Sequence, residues 1–133
     1  METLIACIDG ASRGNPGPAG IGILIKDDLG IVKTRLSRYI GKATNNQAEY
    51  KALIMALEEV IKLGAEHIDI RMDSELVVRQ VQGSYKVKDI KLKPLFNQVK
   101  QLLTRFESFT ITHIPREQNK IADALANQAI NKR

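Results

Sequence analysis

Four acidic residues stand where the surrounding pattern makes an acid costly. Asp9 follows the apolar run from Leu4 to Ile8. Glu49 lies four residues before Leu53, seven before Ala56 and eleven before Val60, so it continues the inward stripe of a helix. Asp73 closes the alternating segment of Ile68, Ile70 and Met72. Asp123 shares a helical face with Ala126 and Ile130, at the margin of the apolar stripe. A carboxylate partly removed from water must be hydrogen-bonded, paired or bound to a metal. Several carboxylates aimed at one place repel one another unless cations hold them. An all-oxygen set of Asp and Glu ligands suits Mg2+ or Mn2+ rather than zinc.

Each acid also has a local alternative. Asp9 can bond the backbone of a loop. Glu49 can close a capping box with Asn46. Asp73 or Ser74 must cap the helix that follows, so Asp73 can be structural. Asp123 can be an ordinary surface acid. Spacing along the chain leaves open whether the four converge in space.

The elements that carry these residues follow from periodicity and turn signals. Thr3 to Ile8 reads as a central strand buried on both faces, closed by the turn signal Asp9-Gly10. Gly14-Asn15-Pro16-Gly17-Pro18 reads as a stiff loop. Ile21 to Lys26 and Ile31 to Tyr39 flank Asp27-Asp28-Leu29-Gly30 as a hairpin. Thr44, Asn45 and Asn46 offer N-caps for a helix that Gly64 ends. Ile68 to Met72 is a fourth strand, and a short helix with Leu76, Val77 and Val81 follows Asp73-Ser74. Leu95, Val99, Leu102 and Leu103 mark another helix. Phe109, Ile111 and His113 lie in a fifth strand, with His113 flanking any site at most. Asn119 caps a last helix. The order β-β-β-α-β-α-α-β-α implies an α/β (mixed α+β) fold, a five-stranded mixed sheet with helices on both faces.

The chain has 133 residues, so a single domain spanning 1–133 with one core is expected. No apolar run approaches the roughly 20 residues of a membrane span. The start, Met1-Glu2-Thr3, lacks the pattern of a signal peptide, so a cytoplasmic location is the default expectation. Cys7, the single cysteine, excludes an internal disulfide and a cysteine zinc cluster, and reads as a small core residue. The net charge of +5 favours polyanionic partners, though weakly.

The motifs around the four acids resemble those of the ribonuclease H type 1 family. The segment from Asp9 to Gly20 looks like its first motif, and Thr44-Asn45-Asn46-Gln47-Ala48-Glu49-Tyr50 resembles the second. Asp73-Ser74 after a strand resembles the third, and Asn119 to Ala126 the fourth. One such motif is weak; four in register over one domain are specific. The resemblance implies a ribonuclease H-like fold and hydrolysis of the RNA strand of RNA–DNA hybrids, leaving 5′-phosphate and 3′-hydroxyl ends. It implies two Mg2+ ions, with Mn2+ as a substitute, held by Asp9, Glu49, Asp73 and Asp123. Asp9 would bridge both ions. Asp123 would help hold the ion that activates water, and Glu49 and Asp73 the ion on the leaving-group side. Asn15, Asn45 and the backbone around Gly10 and Ser12 would reach the RNA or the groove edges, and Thr44 and Asn46 a phosphate of the DNA strand. Contacts to sugar, phosphate and generic groove groups carry little sequence preference. RNA duplexes share A-form shape and 2′-hydroxyls, and so stay open as a side substrate.

The chain departs from the family pattern in three places. It has no Trp, and only about ten residues, Gly83 to Leu92, stand where many relatives carry a basic extra helix, so it resembles the handle-less subgroup. Lys86, Lys88, Lys91 and Lys93 offer charge there; the plainer reading is a solvated loop. Arg116 resembles the residue that replaces a mobile catalytic His in handle-less relatives. Glu75 stands where the family usually has Gln in a groove-contacting position, an acid whose cost near phosphate Arg13 or a metal would offset. Two other readings remain: a non-cleaving hybrid- or duplex-binding module of this fold, and a DNA-directed nuclease or integrase of this fold. A monomer without membrane contact is expected.

Overall fold

A computed structural model describes residues 2–133; Met1, the first residue of the expected 1–133 domain, lies outside the described residues. The chain forms strands β1 (Thr3–Ser12), β2 (Gly17–Asp27) and β3 (Val32–Ala43), then helix α1 (Asn45–Lys62) and strand β4 (His67–Met72). Helices α2 (Glu75–Val81) and α3 (Lys93–Leu103), strand β5 (Ser108–His113), a 3-10 turn (Arg116–Gln118) and helix α4 (Lys120–Asn131) follow. The expected order of elements is the observed one.

The five strands lie side by side as β3-β2-β1-β4-β5. The β1–β2 and β2–β3 pairs are antiparallel, and β1–β4 and β4–β5 are parallel. The sheet is therefore mixed, and β1 is central. Alternation along β1 and β2 sends Leu4, Ala6, Ile8, Ile21, Ile23 and Ile25 to one face, where they meet Leu53, Ala56, Leu57 and Val60 of α1. On the other face α4 lays Ala122, Ala126 and Ala129 over β2. Cys7 is a buried free thiol, as expected.

Three strands run further than the turn signals suggest. β1 continues through Asp9 and Gly10 to Ser12, so Asp9 sits inside the central strand rather than at its end. Its ladder to β2 is unbroken, with Asp9 opposite Gly22 and Gly10 opposite Ile21. Backbone pairing overrides the turn preference of Asp-Gly here. β2 begins at Gly17, inside the expected loop, and β3 extends to Ala43.

Two glycines allow the helices to come close. A side-chain carbon on Gly10 would collide with the main chain of Ala48 in α1, and one on Gly22 with the carbonyl of Ala122 in α4. α1 and α2 are tied by the buried Tyr50 hydroxyl, which donates to Gln80 Oε1 at 2.6 Å.

Gly22→Ala should therefore push α4 off the sheet and lower stability by roughly 1–3 kcal/mol, the usual cost of overpacking. Thermal denaturation measures this, and an unchanged melting temperature would contradict the close packing of α4 on β2.

Candidate active site

The four acids arrive at one end of the sheet from four different elements. β1 supplies Asp9, the first turns of α1 supply Glu49, the end of β4 supplies Asp73 and the first turn of α4 supplies Asp123. They line an open cleft of about 260 Å3 together with Gly10, Ala11, Asn45, Ser74 and Arg116. Carboxylate oxygens of Asp9, Glu49 and Asp73 lie within 4.8 Å of one another. The Asp123 carboxyl approaches that of Asp9.

Local chemistry frees the acids for this arrangement. The capping box of α1 is made by Thr44 and Gln47, not by Asn46 and Glu49: the Gln47 N–H donates to Thr44 Oγ1 at 3.1 Å, and the Thr44 N–H donates to Gln47 Oε1 at 2.8 Å. Glu49 instead accepts the Gly10 N–H at 2.6 Å. Ser74, not Asp73, caps α2, accepting the Val77 N–H at 3.4 Å. Asp123 is partly exposed and turned into the cleft.

Burial and crowding set the electrostatics. Burial lifts the Asp9 carboxyl well above its usual range, and the charges of Glu49 and Asp73 lift it further. Burial also raises Glu49, against the opposing Gly10 hydrogen bond. Burial raises Asp73 as well, and the nearby Arg116 guanidinium opposes that rise. Arg116 stands at the rim, 3.6 Å from Asp123 and largely exposed. Buried carboxylates with converging oxygens and one cation at the edge form a donor set that fits hard divalent ions.

The other expected contact residues divide. Asn45 and Gly10 line the cleft, but the Gly10 N–H is already given to Glu49. Asn15 Oδ1 accepts the Asn45 N–H at 3.1 Å, so the two asparagines form one unit beside the cleft. Thr44 and Asn46 sit at the N-terminus of α1, outside the lining. The Ser12 hydroxyl turns inward to the Ala43 carbonyl at 2.7 Å. Arg13 reaches Asn127 of α4 at 3.4 Å, far from the offsetting role beside Glu75. Glu75 pairs with Arg79 one turn on, at 3.7 Å, and does not line the cleft. His113 is exposed on β5 and is not in the lining either.

Three residues at the site escaped the sequence reading as such. Ala11 and Ser74 line the cleft, which a strand continuing through Asp9-Gly10 would have indicated for Ala11. Asn119, expected as the cap of α4, makes no capping bond; its side chain is buried and donates to the Ile8 carbonyl at 2.9 Å.

An acid cluster on the central strand of this sheet, completed by a helix from each face, defines the ribonuclease H class of folds. Residues 7–129 match the reverse transcriptase-like family. The chain is 49% identical over 127 residues to ribonuclease HI of Halobacterium salinarum, covering 95% of this chain and 63% of that protein. A crystal structure of RNase H1 from Halobacterium salinarum superposes with a TM-score of 0.96 at 44% identity, covering 98% of this chain and 99% of that one. LC11-RNase H1, solved in complex with an RNA/DNA hybrid, superposes with a TM-score of 0.92 at 47% identity, covering 97% of each chain. The chain spans 34% of the length of mycobacterial relatives to which it is 44% identical. It belongs to the ribonuclease H type 1 family.

The raised carboxyls carry a pH signature in the metal-free protein. In the unfolded chain these groups release protons near their ordinary values of 3.8 and 4.5, whereas the folded cluster holds them to higher pH. The folded state then binds more protons than the unfolded one, so stability should fall as pH rises from about 4 through neutrality. Asp9→Asn should flatten this fall, and Mg2+ should raise the melting temperature more at pH 8 than at pH 5. Denaturation scans across pH in EDTA and in Mg2+ decide it; a stability that climbs over that window would contradict the crowding.

Proposed function

We propose that the chain is a metal-dependent endonuclease that hydrolyses the RNA strand of RNA–DNA hybrids, leaving 5′-phosphate and 3′-hydroxyl ends. The convergence of Asp9, Glu49, Asp73 and Asp123 in one cleft carries this reading. These four would hold two Mg2+ ions, with Mn2+ as a substitute, which when bound activate the attacking water and offset charge on the scissile phosphate and the departing 3′-oxygen. A module that only bound nucleic acid would gain nothing from concentrating negative charge beside phosphates.

The chain's own residues supply position and charge. Glu49 is held to β1 by the Gly10 N–H, so its carboxylate keeps one orientation. The Arg116 guanidinium supplies a positive charge beside Asp73 and Asp123. Asn45 and Asn15 present short polar groups where the wide minor groove displays the 2′-hydroxyl. Thr44 and Asn46 sit at a helix N-terminus, whose positive dipole end favours a phosphate of the DNA strand. The exposed Lys86, Lys88 and Lys91 between α2 and α3, with Lys93 at the start of α3, add charge without an extra helix. Glu75 is partly offset by Arg79 and weakens rather than aids the grip. Among the described residues no helix is long and apolar enough to cross a membrane. We propose a single-domain monomer acting in the cytoplasm on hybrids, with RNA duplexes as a lesser substrate.

The test is cleavage of a labelled RNA–DNA hybrid, the matching single strands and an RNA duplex, in Mg2+, Mn2+ or EDTA. The parent should cut the hybrid RNA only with metal. Asp73→Asn should lower the rate by more than about 100-fold, since loss of a group that merely orients a ligand already costs 10–100-fold. Tight hybrid binding without cutting in either metal would overturn the enzyme reading in favour of a binding module.

A further inference from the structure

Asn119 occupies an unusual place for a polar side chain. It is 2% exposed, between the 3-10 turn and α4. Its Nδ2 donates to the main-chain carbonyl of Ile8, the residue before Asp9, at 2.9 Å. The same side chain lies beside Asp73 and favours its charged form. Its main-chain carbonyl accepts the Asp123 N–H at 3.0 Å. One residue therefore touches the carriers of three of the four acids. The fourth, Glu49, is bound to Gly10, two positions beyond Ile8 on the same strand.

The chemistry calls for an amide. Nδ2 carries two hydrogens, one given to Ile8 and a second free to face Asp73. A carboxylate there would set oxygen against the Ile8 carbonyl, and a hydroxyl has only one hydrogen. Turning the amide over would place Oδ1 against that same carbonyl, so the orientation is set by its partner. Oδ1 is left without a hydrogen-bond partner among the described residues. A buried amide with one end unpartnered is costly, and capping α4 would have been the cheaper use of this side chain.

We propose that Asn119 is the positioning residue of the acid cluster: by joining β1, the end of β4 and the start of α4, it sets the spacing of Asp9, Asp73 and Asp123 and so the affinity for divalent ions. This rests on the reading of those acids as metal ligands. Asn119 touches no substrate and acts through the acids.

The experiment compares the parent with Asn119→Ala and Asn119→Ser, well below their melting temperatures. Calorimetric titration of the substrate-free proteins with Mg2+ and Mn2+ reads ion affinity, and steady-state kinetics on a hybrid read kcat and KM. For Asn119→Ala, ion affinity should fall 10–100-fold, the range for lost orienting partners of metal ligands. Its kcat should fall at fixed metal and recover as metal is raised, with KM for the hybrid unchanged. Asn119→Ser, with one donor left, should lie between. Parent-like ion affinity in Asn119→Ala, with only its melting temperature lowered, would show a merely structural role and overturn the proposal. If neither variant folds, nuclear magnetic resonance of the parent decides: the Asn119 side-chain amide protons should exchange slowly and shift on adding Mg2+. Fast exchange, or no shift at saturating Mg2+, would overturn it. A parent that binds Mg2+ but cuts no hybrid would sink the nuclease and leave this proposal standing, whereas a parent that binds no ion would overturn both.

Discussion

Glu49 is a carboxylate buried against the main chain of the central strand, and the hydrogen bond it accepts from the Gly10 N–H sets how α1 meets the sheet. That bond demands a close approach, which only a residue without a side chain permits at position 10. The start of the helix must then be fixed to the residue, because a one-residue slip would rotate Glu49 about 100° around the helix axis. The reciprocal Thr44–Gln47 cap supplies that fix. On the opposite face the same logic recurs with other atoms. Gly22 lies opposite Asp9 in the ladder and lets α4 descend until Asp123 reaches the cleft.

The convergence this enforces opposes folding. Burial and mutual repulsion hold Asp9, Glu49 and Asp73 above their ordinary proton affinities. The fold offsets this with single, well-placed partners rather than with a counter-charge for each acid. Gly10 and Ser74 stabilise the Glu49 carboxylate, and Asn119 and Arg116 do so for Asp73. Asp9 has no relief of that kind; burial and the neighbouring acids all raise its proton affinity. The acid placed deepest in the central strand is therefore the one with most to gain from a cation, which agrees with the bridging role the family resemblance implies for it.

Much of this was legible along the chain, for different reasons in different places. Glu49 betrayed itself by standing in an apolar helical stripe, and its burial follows from the same periodicity that built α1. β4 alternates cleanly because one of its faces meets the core, so Asp73 at its end was easy to place. The turn signal Asp-Gly sets Asp9 at the end of its strand, whereas the ladder to β2 carries that strand on through Asp9 to Ser12. Local spacing favours Asn119 as a cap, whereas its side-chain partner is 111 positions away. Arg13 likewise meets Asn127 across the fold. Contacts between distant segments are the part that propensity and periodicity do not encode.

A cleft made of carboxylates repels the phosphates it is proposed to cut, so attraction must come from outside it. The net charge of +5 coexists with four clustered acids, which leaves the positive excess on the surrounding surface. Part of it is the exposed lysine-bearing connection between α2 and α3, and part is Arg116 at the rim. The N-terminus of α1 adds the positive end of a helix dipole rather than a full charge. With the acids unscreened, the cleft opposes these groups; with two divalent ions bound, the four acidic charges are offset and the surrounding positive groups act without that opposition. Under the proposed reading, metal loading and hybrid binding are thus linked through electrostatics, and a handle-less chain depends on that link more than one with a separate basic helix.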